Sequence, residues 1–352
     1  MKIKKLLAGL LTVVAANVSH AYDIEVDGIR YNIIDGKHLA VTYRGEFTPK
    51  TIAYITDNDY AGDIIVPDSV DVGSGVLMAV KEVDNHAFMD CSELHYVKLP
   101  PTIEKIGYLT FCRSSIEILD ISDTKVVRTG RGMCAYCSNL SQVFLPEQLQ
   151  IISTSTFVGT NIEEMTLHDN ITHIESECFQ WSNIRILTLG KGIYSIGGSV
   201  FTGSKIEQIN NMELVQHYAY KALSDAFSLR NIVIGANVCM IDYSFSDMPN
   251  LESVICLKTN PEELPFTASD YFMASNPDCV LWVPDESLAA YRESAKWTCF
   301  FHDIRPLSQV KLEEATAADS TAMTLYDLNG RRVSDPRPGQ ICITSDGRKV
   351  RF

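Results

Sequence analysis

The chain has 352 residues, 46% of them hydrophobic and 21% charged, and carries a formal net charge of −14 at pH 7. That balance excludes a disordered tether, and the acidity argues against nucleic acid or an anionic membrane surface as partner. Cationic partners, or neutral ones such as glycans, remain compatible with it.

Residues 1–21 read as an address and not as part of the fold. Lys2, Lys4 and Lys5 open it, Leu6 to Ala16 is apolar, and Ser19-His20-Ala21 offers small residues at a cleavage site. The apolar stretch is too short for a membrane-spanning helix, which needs about 20 residues. A signal peptide is expected, and with it an exported protein, secreted or displayed at the cell surface. Its removal takes away three lysines and no acid, moving the formal charge from −14 to −17. No later segment holds enough uninterrupted apolar residues to cross a membrane.

Residues 22–61 are expected to form an antiparallel β cap. Ile24 to Val26 and Ile29 to Ile33 flank Asp27-Gly28, a strong two-residue hairpin signal, and Asp35-Gly36 precedes the alternating Leu39 to Tyr43.

Residues 62–258 hold a repeat. Its aligned strands begin at Leu94, Ile116, Leu140, Ile162, Ile184, Ile206, Leu229 and Leu251, at intervals of 22, 24, 22, 22, 22, 23 and 22 residues. Such regularity signals a leucine-rich repeat solenoid, a mainly β fold of about eight coils with short helical turns and β caps. Side chains alternate along a strand, so positions four and six point inward and positions three and five outward. Turn residues follow, as in Leu99-Pro100-Pro101 and Leu189-Gly190. A second apolar pair comes next (Ile103 and Ile106, Ile171 and Ile174, Ile193 and Ile196), and then a bulky aromatic: Phe88, Phe111, Phe157, Phe179, Phe201 or Phe245. Eight strands paired edge to edge would form one sheet roughly 35–40 Å long. Irregularity is expected in two coils. The one starting at Ile116 runs through Val126-Val127 into Gly130-Arg131-Gly132, and the one starting at Ile206 has Asn211 at position six.

Ten cysteines in an exported chain invite a disulfide reading. Cys91, Cys112, Cys137 and Cys178 each fall within three residues of an aromatic, in slots that suit a small buried hydrophobe. Stacked coils could still bring two thiols together, which leaves one or two disulfides open. Cys134-Ala135-Tyr136-Cys137 has redox-motif spacing without the βαβ context such a motif needs.

Beyond the repeats, residues 259–310 read as an end unit. Cys279 to Pro284 is strand-like, a short helix follows Asp285, and Trp297 with Phe300-Phe301 supplies bulk to cover the last coil. Residues 311–322 read as a linker. Residues 323–352 read as a small terminal β module turning at Asn329-Gly330 and Asp346-Gly347.

The repeat phrase Ala87-Phe88, Cys91, Leu94 and Leu99-Pro100, with the pairs Ile106-Gly107 and Ile196-Gly197, resembles the BspA-like leucine-rich repeat family of bacterial surface proteins. The segment from Trp282-Val283-Pro284 to Trp297 is similar to that family's end unit. The likeness covers about 62–307 and implies a solenoid, a surface location and a Gram-negative source. Tyr326 to Val333, Gly339 to Ile343 and Gly347 to Val350 are similar to a short C-terminal module of exported Bacteroides-type proteins, with Cys342 where that module has tyrosine.

Catalytic spacing is missing from the chain. It has no Gly-x-Ser-x-Gly, His-Glu-x-x-His, phosphate loop or dinucleotide fingerprint. His168 and His173 flank a turn, Asp57, Asp59 and Asp63 lack a calcium-loop register, and Glu163-Glu164 and Glu262-Glu263 are adjacent pairs that do not face one cleft. No enzyme, cofactor or metal is therefore expected. The candidate binding residues are outward ones: Tyr96, Lys98, Ile118, Asp120, Gln142, Phe144, Glu164 and Ile186. Ile118, Phe144 and Ile186, with Val233 and Ile255, would make an exposed apolar patch. The expected function is recognition or adhesion, binding an extracellular protein or glycan along the outward sheet. A glycan-processing accessory or hydrolase with an unrecognised site, and a structural envelope component, stand as alternatives.

Overall fold

The computed structural model describes residues 22–48, 54–73, 75–264, 271–310, 312–314, 325–327, 332–334, 336, 341–344 and 349–351. The expected signal peptide and the turns at Asn329-Gly330 and Asp346-Gly347 lie outside the described residues.

One coil shows how the sequence becomes structure. Ile186–Thr188 forms a front strand whose central Leu187 points into the core and is fully buried. The chain turns, and Ser195–Ile196 forms a two-residue back strand with Ile196 inside. It then closes through a turn face in which Ser199 and Gly203 take positive φ and Phe201 between them is buried. Stacking repeats this in parallel register. Leu187 sits between Met165 and Ile209 in front, and Ile196 between Ile174 and Tyr218 behind.

Front strands also precede and follow the eight recognised by spacing. Ala61–Ile65 pairs in parallel with Glu93–Lys98, and Val280–Val283 and Ile304–Pro306 extend the far end. The solenoid thus has about ten turns, where about eight were expected.

The turn face is the most regular of the three. Residues four apart adopt positive φ in successive coils: Leu109 and Arg113, Gly132 and Tyr136, Ser155 and Gly159, Glu177 and Trp181, Ser199 and Gly203. This conformation points alternate N–H groups along the solenoid axis. Leu109, Phe111 and Arg113 donate to the carbonyls of Arg131, Met133 and Ala135 at 2.8, 2.8 and 2.9 Å, and Ser155, Phe157 and Gly159 donate to those of Ser176, Cys178 and Gln180. Between each pair the aromatic faces inward and stacks on its neighbour, with centroids 5.2 Å apart for Phe88–Phe111, 5.6 Å for Phe157–Phe179 and 5.9 Å for Phe179–Phe201. Cys134 occupies the phenylalanine slot between Phe111 and Phe157, as its donation to Thr156 shows.

The expected single front sheet is divided into three. One ladder runs from Ala61–Ile65 through Glu93–Lys98 and Ile118–Asp120 to Gln142–Phe144, a second from Glu164–Thr166 to Gln208–Asn210, and a third from Asn231–Ile234 onward. At the first division the inward residues Val143 and Leu145 are only half-buried. At the second, Asn211 takes φ 65°, donates from Nδ2 to the Leu189 carbonyl at 2.8 Å and starts the 3-10 turn Met212–Leu214. The coil starting at Ile116 is irregular behind, contributing only a bridge between Arg128 and Ile151. There the coils approach closely, since a Cβ on Gly130 would lie 1.8 Å from the Gly107 carbonyl oxygen. Both anticipated coils are irregular, and the front division after Phe144, in the coil starting at Leu140, adds a third that spacing did not show.

At the N-terminal end, Asp27-Gly28 and Asp35-Gly36 all take positive φ and turn the strands Ile24–Val26, Ile29–Ile34 and His38–Thr42 into an antiparallel unit. Its last strand pairs in parallel with Leu77–Val83, so the hairpins feed directly into the back of the stack. A second hairpin, Glu46–Thr48 with Tyr54–Thr56, lies against the turn face, where Phe47 and Ile55 pack with Met89 and Cys112. At the other end Trp297 is buried and its indole N–H donates to the Pro261 carbonyl at 3.0 Å. Leu312–Glu314, within the stretch expected to be a linker, is instead a strand paired with Lys349–Arg351, because parallel pairing with the terminal sheet satisfies its backbone.

All ten cysteines are free thiols, eight buried and two, Cys239 and Cys299, exposed. Burial pushes the Cys112 and Cys279 thiols up to about 12, so both stay protonated and unreactive in the native state. A maleimide should label two thiols in the native protein and all ten in denaturant without reductant, as counted by mass spectrometry. Phe179→Ala, in the middle of an unbroken aromatic stack, should cost about 3–5 kcal/mol in urea denaturation.

Candidate binding face

Strand register places the candidate residues in two rows. Asp63, Tyr96, Ile118 and Gln142 stand side by side, and Ile65, Lys98, Asp120 and Phe144 form the row beside them. Glu164 and Ile186 are neighbours on the second ladder, beyond the first division of the sheet. Six of the eight candidates therefore share one surface and two belong to the next.

Within the first surface, one lysine is held between two carboxylates. Lys98 Nζ lies 3.1 Å from Asp120 Oδ2 and 3.0 Å from Asp123 Oδ2. Burial raises the Asp120 carboxyl, but the Ser122 hydroxyl and amide, and then the Lys98 ammonium, outweigh it and hold the group below the usual carboxylate range. The Asp123 and Asp120 carboxylates in turn hold the Lys98 ammonium above its ordinary value. Apolar groups flank this triad. Phe144 is 43% exposed and Ile65, which the repeat spacing did not single out, is 67% exposed. Tyr96 and Ile118 are half-buried.

Two members of the expected apolar patch are not on the surface. Val233 and Ile255 are 3% and 1% exposed. They stand in one row with Trp282, and the 3-10 turn Met212–Leu214 packs against the strand of Val233. A turn inserted from the preceding coil and an indole from the following one thus border positions that alternation alone would expose.

The groups weighed for chemistry do not converge. His168 sits in a turn while His173, on a back strand, pairs through Nδ1 with the Thr172 hydroxyl at 2.8 Å. Asp59 lies 3.2 Å from Arg44 Nε, Glu262 accepts from Ser294 Oγ at 2.7 Å, and Glu263 lies 2.9 Å from Lys258 Nζ. Among the described residues no group of three or more His, Cys, Asp or Glu is placed to hold a metal ion, and no helix is long and apolar enough to cross a membrane.

A feature that strand alternation cannot reveal lies on the turn face. Tyr108, Tyr136, Trp181, Tyr220 and Tyr243 are all exposed there. Tyr136 and Trp181 occupy the second positive-φ position of their coils, the slot that Gly159 and Gly203 fill in the coils that follow each of them. A Cβ on Gly203 would lie 2.5 Å from Trp181 Cδ1, so the indole packs against the glycine. The available signal was an aromatic two residues after the buried-aromatic slot, where glycine is the unstrained choice.

The architecture defines a leucine-rich repeat solenoid whose exposed side chains offer binding surfaces. The BspA type leucine-rich repeat region model matches six copies over residues 76–185 and 172–264, more than half of the chain. The protein belongs to this family, and a repeat protein of this kind fits a binding role. Among solved structures it is similar to a leucine-rich repeat protein from Bacteroides ovatus (14% identity, TM-score 0.41, covering 83% of this chain and 94% of that one). A leucine-rich cell surface protein from Faecalibacterium prausnitzii is also similar (15%, 0.39, 82% and 96%), as is the pneumococcal vaccine antigen PcpA (13%, 0.31, 80% and 98%). No curated protein matches the chain significantly.

Gly203→Ala should cost about 1–2 kcal/mol, the penalty of a left-handed residue carrying a Cβ. It should also displace Trp181, which a shift in tryptophan emission would report.

Proposed function

We propose that the protein is an exported, non-enzymatic recognition protein that binds an extracellular protein or glycan through the outward face of its front sheet. The observation that carries this reading is the surface built by Ile65, Tyr96, Ile118 and Phe144 around the Lys98–Asp120 pair. Apolar groups there surround one ammonium held between two carboxylates, with the Asp63 carboxylate in the same row, so a partner meets apolar contact area beside a net negative charge. Membership in a family of surface repeat proteins supports the same reading, as does the signal-like sequence of residues 1–21.

The aromatic and aliphatic members are expected to dominate the energy, and Gln142 and Glu164 to contribute at the rim. Arrays of extracellular matrix proteins and glycans probed with the mature chain would identify the partner. Replacing Tyr96, Ile118, Phe144 and Ile186 together by alanine should then weaken binding at least a hundredfold while leaving the thermal midpoint close to that of the parent protein. Unchanged affinity in this variant would remove the front face from consideration.

A further inference from the structure

A groove of about 610 Å³ opens on the turn face, walled by Tyr108, Arg131, Tyr136, Glu177 and Gln180. We propose that it is a binding site for a neutral oligosaccharide, distinct from the front face.

The backbone supplies the first argument. Tyr136 sits at φ 60° and Trp181 at φ 54°, conformations that disfavour bulky side chains and that glycine takes up in the intervening and following coils. The fold therefore does not require a ring at either position. Both rings are nonetheless held outward, 50% and 57% exposed, against Gly159 and Gly203 of the next coil. They occupy equivalent places two coils apart, a separation of about 10 Å at the inter-strand step. That is close to the span of two linked pyranose rings. An aromatic face carries negative potential, which attracts the polarised C–H groups on one side of a sugar.

Polar groups that line the groove beside Tyr136, up to Gln180 next to Trp181, provide the second argument. The Arg131 guanidinium and the Gln180 carboxamide make no side-chain hydrogen bond among the described residues, whereas Glu177 Oε2 accepts from Ser155 Oγ at 3.0 Å and is held in place. Planar groups of this kind donate or accept in pairs and match adjacent hydroxyls. The one cation and one anion cancel, so the groove favours a ligand without net charge.

The strip of coils beneath the groove supplies the third argument. Phe47 and Ile55 of the N-terminal hairpin join Met89, Cys112, Ala135 and Val158 in one apolar cluster. The position that these last four share in their coils becomes Gln180, Thr202 and Ser224 farther on, so the groove, which Ala135, Val158 and Gln180 all line, lies where the strip changes from apolar to polar. Leu109, Ala135 and Val158 give the groove an apolar side, and Arg131, Glu177 and Gln180 a polar one, which suits a ligand that stacks on one side and hydrogen-bonds on the other.

The test is titration of the mature chain with cellohexaose, xylohexaose, maltohexaose, laminarihexaose and N-acetylchitohexaose, followed by calorimetry and by tryptophan emission. At least one should bind and perturb the emission of Trp181. Tyr136→Gly, which installs the residue native to Gly159 and Gly203, should lower affinity at least tenfold with the thermal midpoint retained. Gln180→Ala should weaken binding severalfold and serves as the deciding variant if Tyr136→Gly fails to fold. Phe144→Ala should leave oligosaccharide affinity unchanged, which keeps this site separate from the front face. Absence of binding to all five sugars, or full affinity in both groove variants, would overturn the assignment.

Discussion

Backbone N–H groups on the turn face point along the solenoid axis and donate to the next coil, and this ladder sets the spacing to which the other two faces conform. It needs two residues of positive φ in each coil, a conformation that is unfavourable for most side chains but is repaid three hydrogen bonds at a time. A single coil has neither those bonds nor enough buried apolar surface to offset the ordering of about 22 backbone units. Stability therefore resides between coils. The stacked phenylalanines express the same constraint in side chains, each ring being buried only because another follows it.

Much of the front was legible from alternation. Positions four and six are inward wherever the ladder is intact, because a strand can face a core in only one phase. The failures came from residues distant in sequence. Val233 and Ile255 look outward in their own strands and are bordered by Met212–Leu214 and Trp282. The end strands Ala61–Ile65, Val280–Val283 and Ile304–Pro306 escaped the count because their connections depart from the repeat length. The positive-φ positions were hidden because Leu109, Arg113, Tyr136 and Trp181 stand where turn chemistry would suggest glycine or asparagine.

The two candidate surfaces differ in how they are made. On the front sheet, side chains project from strands whose phase is dictated by the core, so composition there varies freely from coil to coil. On the turn face, the rings of Tyr136 and Trp181 are presented from left-handed backbone positions, and in each case the following coil supplies a glycine to receive the ring. The first arrangement tolerates substitution, while the second requires two coils to agree. That difference explains why the candidate residues of the front face could be enumerated from spacing and those of the groove could not.

Three interruptions fall in the same region: the gap in the back ladder between Ile106 and Ile151, the cysteine in the aromatic stack at Cys134, and the division of the front sheet after Phe144. In a linear array, cooperativity passes only through nearest-neighbour interfaces, so a weakened interface divides it into blocks that open separately. Here the turn-face hydrogen bonds run unbroken across the seam, from Gly132, Cys134 and Tyr136 to Thr154, Thr156 and Val158. The interruptions are also staggered: Ile118–Asp120 still pairs with Gln142–Phe144 where the back ladder is thin, and Ile151–Ile152 pairs with His173–Ile174 where the front divides, so every interface in this region keeps at least two of its three faces bonded and cooperativity passes through it.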